Sequence, residues 1–383
     1  MKHFFTFTLL LFPLICSAED EAFIQDGAWS LQDAVTRAVT RSDSDADTTR
    51  WKRQSWITVP KVGGYIVGSY RYDSENDSQN DGVGIRFARV YVNGTVLRDF
   101  NYRVQVDFAG SPRIMDAYLE WARYHFVTLK AGEFKRCFGM ENPMNPWDIC
   151  FGEYSQLSRK LVGYGDRCGE SSMSGRDLGV QVAGDFLKSR TDGHYYLRYQ
   201  VGMYNGQGIN QRDLDRKKDW IGALLFSPIK NMQIGVYGWW GNYVVRDAGS
   251  VDRHRWAASV KYEGTNYRAG DFWGRCSFRA EYASSYGYKF SNGAIDRTAG
   301  NRADAWYVLV GMPLWRWIKG SAKWDVYRDD ATWQTAHYIY SAALMLQPHK
   351  NLMLQLQYNY HHDKSATAAT DYHQLLTQFY VRF

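Results

Sequence analysis

Past its first residues, this chain has no apolar stretch approaching the roughly 20 residues that a membrane-crossing helix requires. Any span must therefore be made of strands. The chain also lacks paired cysteines at zinc-site spacing: Cys137, Cys150, Cys168 and Cys276 stand apart, and Cys16 lies in the leader. A disulfide among Cys137, Cys150 and Cys168 and a set of free thiols are both open readings. No large charge excess is present either. Lys plus Arg number 46 against 40 Asp plus Glu, a balance of +6 that is too mild to indicate nucleic acid. No nucleophile elbow or metal motif frames the serines and histidines. Ser341 near His337 is the nearest approach to a hydrolase pair, and an enzyme is not expected. No cofactor is implied.

What is present begins with an export signal. Lys2 supplies the positive start, Phe4 to Ile15 the apolar core, and Cys16-Ser17-Ala18 the small residues for cleavage, giving a signal peptide over 1–18. Residues 19–60 read as a periplasmic arm, partly disordered. It has weak helical spacing over Trp29–Val39 and a polar, acidic stretch from Arg41 to Thr49. From Lys61 to Phe383 the pattern changes to period two. Phe100, Tyr102, Val104, Val106 and Phe108 alternate with Asn101, Arg103, Gln105 and Asp107; Leu352, Leu354, Leu356 and Tyr358 alternate with Met353, Gln355 and Gln357. Successive side chains of a strand face opposite ways, so each such segment has one apolar and one polar face.

Alternating segments start near 61, 83, 99, 113, 125, 177, 194, 219, 231, 253, 275, 304, 318, 335, 350 and 371. The expectation is an all-β, up-and-down antiparallel transmembrane barrel of about 16 strands, the size that leaves an aqueous channel. The aromatic share of 16%, with 28 Tyr and 15 Trp, suits the girdles such barrels carry at the membrane interfaces. The last strand places Leu375, Thr377, Phe379, Val381 and Phe383 on one face, as expected of the strand that closes the barrel.

The faces expected to line the lumen carry Arg89, Arg103, Lys130, Arg198, Arg253, Arg255, Lys261, Arg279, Lys289 and Lys323. Asp107, Asp116, Glu120, Glu281 and Asp325 face the same way. Rings of Arg and Lys favour anions in pores, whereas acid–base pairs across the lumen would only shape it and keep it wet. The longest join, 136–176, carries Arg136, Arg159 and Lys160. By its residues alone it fits an inward constriction or an extracellular loop equally.

Several stretches resemble the phosphate-selective porin O and P family of outer-membrane proteins: PKVGGYIVGSYRY (60–72), IRFARVYVNGTVLRDFNYRVQVDFA (85–109), DAYLEW (116–121), LKAGEFKRCFGMEN (129–142), GRDLGVQVAGDF (175–186), MYNGQG (203–208), WYVLVGMP (306–313) and KNLMLQLQYNY (350–360). The resemblance implies a trimeric 16-stranded barrel whose loop after strand five, 136–176, folds into the pore. Where members often read Arg-Arg-Ala-Arg, this chain reads Arg86-Phe87-Ala88-Arg89, and Lys135 matches the family's lysine at the loop entrance. The missing arginine weighs against strict phosphate selectivity. The expected function is a passive diffusion porin in the outer membrane of a Gram-negative bacterium, for small hydrophilic solutes with a modest anion preference. The alternative is a non-conducting structural or adhesive barrel. Expected partners are outer-membrane lipid, small anions or other small solutes, and two further copies of the chain. The candidate pore-lining residues are Arg89, Arg103, Lys130, Lys135, Arg136, Arg159, Lys160, Arg198, Arg279 and Lys323.

Overall fold

The fold is described from a computed structural model covering residues 58–74, 82–170, 174–245, 249–264, 272–291, 294–297, 300–365 and 370–383. The expected signal peptide, almost all of the expected arm and the helix expected in it lie outside the described residues. The alternating pattern becomes β1 (Lys61–Asp73), β2 (Gly82–Val96), β3 (Phe100–Asp107), β4 (Arg113–Tyr124), β5 (Val127–Lys135), β6 (Arg176–Lys188), β7 (Tyr195–Tyr204), β8 (Asp219–Phe226) and β9 (Met232–Val245). It continues as β10 (Gly249–Glu263), β11 (Ser277–Tyr286), β12 (Lys289–Ser291), β13 (Ala294–Asp296), β14 (Arg302–Trp315), β15 (Ile318–Arg328), β16 (Ala336–His349), β17 (Leu352–Asp363) and β18 (Thr370–Arg382). Sixteen of these close into one antiparallel barrel, each beside its sequence neighbour, with β11 against β14 and β18 against β1. The largest departure from the expected starts is at β10, which begins at Gly249 rather than near 253.

β12 and β13 pair only with each other, in the join between β11 and β14. Lys289 is therefore not on the barrel wall. It sits on this hairpin and its Nζ donates to Asp329 Oδ2 at 2.7 Å. The reason is local: Gly287 adopts φ +134, which few other residues tolerate, and it ends β11 after Tyr286.

Closure runs through the terminal strand. Gly64 N donates to Phe383 O and Phe383 N donates to Gly64 O, both at 3.0 Å. A Cβ on Gly64 would meet Arg89 O and the Phe383 ring at 2.6 Å, so the seam requires glycine there. Tyr65 pairs with Arg382 and Val67 with Tyr380. Leu376, Gln378 and Tyr380 are buried inside, while Leu375, Phe379 and Phe383 are exposed on the outer face, as the alternation requires. With every barrel strand paired on both sides, no open edge faces lipid. Outside, a continuous aromatic row runs from β8 to β17. Trp220 lies opposite Trp240, Trp256 packs on Tyr282 at 5.2 Å, Trp306 on Trp324 at 6.2 Å, and Tyr340 lies opposite Tyr360.

The β5–β6 join turns into the barrel. Phe138, Phe151, Leu157, Leu161 and Val162 are buried in one cluster with the inward-facing Trp239, Tyr307 and Tyr380. Each such side chain contributes about 1.5–3 kcal/mol when fully buried. The join contains α1 (Gln156–Leu161), whose N-cap Ser155 accepts from Ser158 N and whose last turn carries Arg159 and Lys160. All four cysteines past the leader are free thiols. Cys137 lies beside Tyr204 on β7, Cys150 beside Lys319 on β15 and Cys168 beside Arg255 on β10, so the three loop thiols rest against different parts of the wall.

Candidate permeation pathway

The loop is anchored to one side of the barrel by charge. Arg136, with no exposed surface, pairs with Glu170, which also pairs with Arg253 of β10; Arg253 in turn pairs with Asp219 of β8. Arg255 Nη2 donates to Asp166 Oδ1 at 2.6 Å. Burial raises the Asp166 carboxyl, but Arg255 outweighs it and brings the group down to about 2. The three guanidiniums lie 4.8, 4.5 and 4.9 Å from the ring of Trp239. Further along, Met140 N donates to Glu281 Oε1 at 2.6 Å and Gln156 N to Asp325 Oδ2 at 2.9 Å. Gln355 Nε2 donates to Cys150 O, and Gly152 N donates to Gln357 Oε1, both at 2.7 Å. A Cβ on Gly152 would meet Leu376 at 2.5 Å, so the loop presses on β18 at a point only glycine fits. The loop thus follows the wall from β8 round to β18, and faces β1 to β5 on its other side.

The sequence-derived cations divide by what holds them. Arg89 Nε donates to Asp107 Oδ2 at 2.7 Å and its Nη1 to Tyr65 at 2.8 Å. Arg103 lies 3.5 Å from Asp116, Lys130 lies 3.0 Å from Glu120, and Arg198 lies 3.7 Å from Asp185. Lys323 lies 3.5 Å from Asp325, and Arg279 pairs with Glu263. Lys135 is drawn into the loop base, its Nζ donating to Asn142 O and Met144 O at 2.7 Å each. Arg136 is sealed in the anchor described above. Of the loop cations, Arg159 pairs loosely with Glu153 at 3.4 Å, and Lys160 makes no ion pair among the described residues. Both are exposed.

Arg86 and Arg382 were not among the sequence-derived candidates. β1 and β2 lose register between Val67 and Gly68, which face Phe87 and Ile85 and leave Arg86 as the bulged residue. The alternation changes phase there. Val83 and Ile85 turn out toward lipid, exposed by 88% and 66%, while Phe87 and Arg89 turn in. Arg86 lies with them, 5.0 Å from the Phe87 ring, and makes no ion pair among the described residues. Its charge reaches the loop at Glu153: burial raises that carboxyl, but Arg159, Arg71 and Arg86 outweigh it and hold it below the usual range. Arg382, two residues past Tyr380 on the inner face, lies 4.7 Å from the ring of loop Trp147 and is likewise unpaired. The Arg-x-x-Arg motif and the alternation of the last strand were the signals that pointed to these two.

The paired wall and the inward loop make a closed 16-strand barrel narrowed from within. Residues 61–236 match the family described as phosphate-selective porin O and P. Over that stretch the chain is similar to a family of porins. The match covers β1 to β8 and the first five residues of β9, including the bulge, the loop and its anchor on β8. Solved structures agree in fold. The chain aligns with the anion-selective porin from Comamonas acidovorans at 9% identity and TM-score 0.63, over 85% of this chain and 99% of that one. It aligns with Salmonella typhi OmpF in complex with daunomycin at 13% identity and TM-score 0.58, over 85% and 97%. It also aligns with the outer membrane channel DcaP of Acinetobacter baumannii at 14% identity and TM-score 0.56, over 85% and 97%. No curated protein matches it.

Proposed function

We propose that the protein is an outer-membrane porin, a passive diffusion channel with a modest preference for anions, narrowed by its β5–β6 loop and assembled as a trimer. The observation that carries the preference is Arg86, an inward-facing guanidinium that makes no ion pair among the described residues, with Glu153 of the loop within reach of its field. Lys160 of the loop, toward the outer mouth, and Arg382, near the periplasmic end, add positive charge that makes no ion pair among the described residues. Fixed positive charge in a narrow aqueous path concentrates anions. Strict phosphate selectivity is not supported by the same geometry. Arg89 is bound by Asp107 and Tyr65, and Lys135 by two backbone carbonyls, so two of the three cations that resemble the family's set are already engaged.

The test is the reversal potential of purified protein in planar bilayers across a potassium chloride gradient. Anion preference that weakens at high salt is expected, because the Debye length falls from about 30 Å at 0.01 M to about 3 Å at 1 M. A cation-selective channel would refute the preference. Absence of conductance would favour the non-conducting barrel, a reading for which the dense packing of the loop against the wall speaks.

A further inference from the structure

Near the periplasmic end of the loop, one carboxylate stands apart from the network of ion pairs. Asp148 is half-buried at the tip of the turn Asn145–Asp148, whose backbone closes through Asp148 N donating to Asn145 O at 2.8 Å. Its backbone carbonyl accepts from Arg279 Nη2 at 2.7 Å, which fixes the turn against β11. On the other side, its neighbour Trp147 carries Arg382 of β18 over its ring at 4.7 Å and meets Tyr380 edge-on at 5.7 Å. Asp148 is therefore suspended between two walls of the lumen. The charged groups whose fields reach it are Arg279, Arg382, Glu263 and Lys261. Yet its side chain makes no ion pair among the described residues. Arg279 gives its own charge to Glu263, and Lys261 and Arg382 remain unpaired.

We propose that the Asp148 carboxylate is a selectivity-setting counter-charge, a tethered anion that partly occupies the field of Lys261, Arg279 and Arg382 and so holds the anion preference of the pore below what its arginines would give. This rests on the channel reading above. A permeating anion passing that end of the loop meets three cations, with Glu263 and Asp148 already among them. Removing Asp148 leaves the cations in place and only Glu263 to offset them. The group also responds to acid: burial raises its carboxyl, Arg279 and Arg382 only partly offset this, and it rests at about 6. Below that pH it is neutral, so the anion preference rises on acidification.

Asp148→Asn keeps the shape and removes the charge. Reversal potentials are measured in a 0.1 M to 0.01 M potassium chloride gradient at pH 7.5 and pH 5 for wild type, Asp148→Asn and Asp148→Glu. One unit charge about 10 Å away in water changes each ion's local concentration about two-fold, up for one sign and down for the other. A rise of up to about four-fold in the chloride-to-potassium permeability ratio, less as salt screens it, is therefore expected for Asp148→Asn at pH 7.5. Wild type is expected to approach the Asn variant at pH 5, the Asn variant to change less with pH, and Asp148→Glu to follow wild type. The contrast should vanish at 1 M salt. An Asn variant with the wild-type ratio at both pH values, in a wild type that is anion-preferring, overturns the proposal and leaves the channel reading standing. A wild type that does not conduct overturns both. Heat-modifiable mobility on a gel checks that each variant is folded.

Discussion

The two sides of the lumen use the same residue types to opposite ends. On the wall from β8 to β11, Arg136, Arg253 and Arg255 are wholly or almost wholly buried and joined to Glu170, Asp219 and Asp166. On the seam formed by β18, β1 and β2, Arg86 and Arg382 face inward with aromatic neighbours and make no ion pair among the described residues. The first set holds the loop, and the second is left to act on whatever passes. A cation's effect on a permeating ion is its charge net of its partner's, so counting lumen arginines overstates the field. Pairing separates anchor from filter.

Breaking the anchor should have the largest effect. Glu170→Ala leaves Arg136 and Arg253 buried with an unshared charge, and removing one partner of a buried pair typically costs about 3–5 kcal/mol. Lower resistance to heat and denaturant on gels, with noisy or enlarged conductance, is the expected outcome; wild-type stability would mean the network is not what fixes the loop. Next, deleting residues 146–152 while keeping Glu141, Ser155 and Glu170 should raise single-channel conductance with the barrel intact. An unchanged conductance would place the constriction elsewhere.

Breaking the filter should leave folding alone and move selectivity. Arg86→Ala should lower the chloride-to-potassium permeability ratio in dilute salt by about ten-fold or more for a charge about 5 Å from the ion in water, since it acts about four-fold on each ion in opposite senses, with Arg382→Ala in the same direction. The smallest effect sharpens the comparison. Lys130→Ala combined with Glu120→Ala removes a pair 3.0 Å apart and should shift the reversal potential by little. Either single variant unmasks its partner and should shift it more, in opposite directions. A double variant as strong as Arg86→Ala would show that pairing does not decide the role.

Much of this was legible in the residues. Period-two alternation is a local property, so the strands from Lys61 to Phe383, the barrel they form and the inward face of Arg103 or Lys323 could be read in order along the chain. The terminal strand likewise announced its outer face through Phe379, Val381 and Phe383. Arg86 shows where that reading stops. Strict alternation sends it to the side opposite Phe87 and Arg89, and only the register shift against Val67 and Gly68 turns it inward. A bulge depends on the partner strand, which a single strand's pattern does not contain.

The same limit applies to charge. The sequence determined the face of most basic residues, because each follows from its own strand's phase; Arg86, turned by the bulge, and Lys289, on a hairpin off the wall, are the exceptions. The tertiary structure decided which of them are neutralised. Glu170 meets Arg253 across 83 residues of chain and Asp166 meets Arg255 across 89, through a loop whose residues fit an inward or an outward position equally well. Ion pairing falls off within a few ångströms in water. Such partners are set by where the loop comes to rest, and that is fixed by burial of Phe138, Leu157 and Leu161 against Trp239 and Tyr307 rather than by any spacing along the chain.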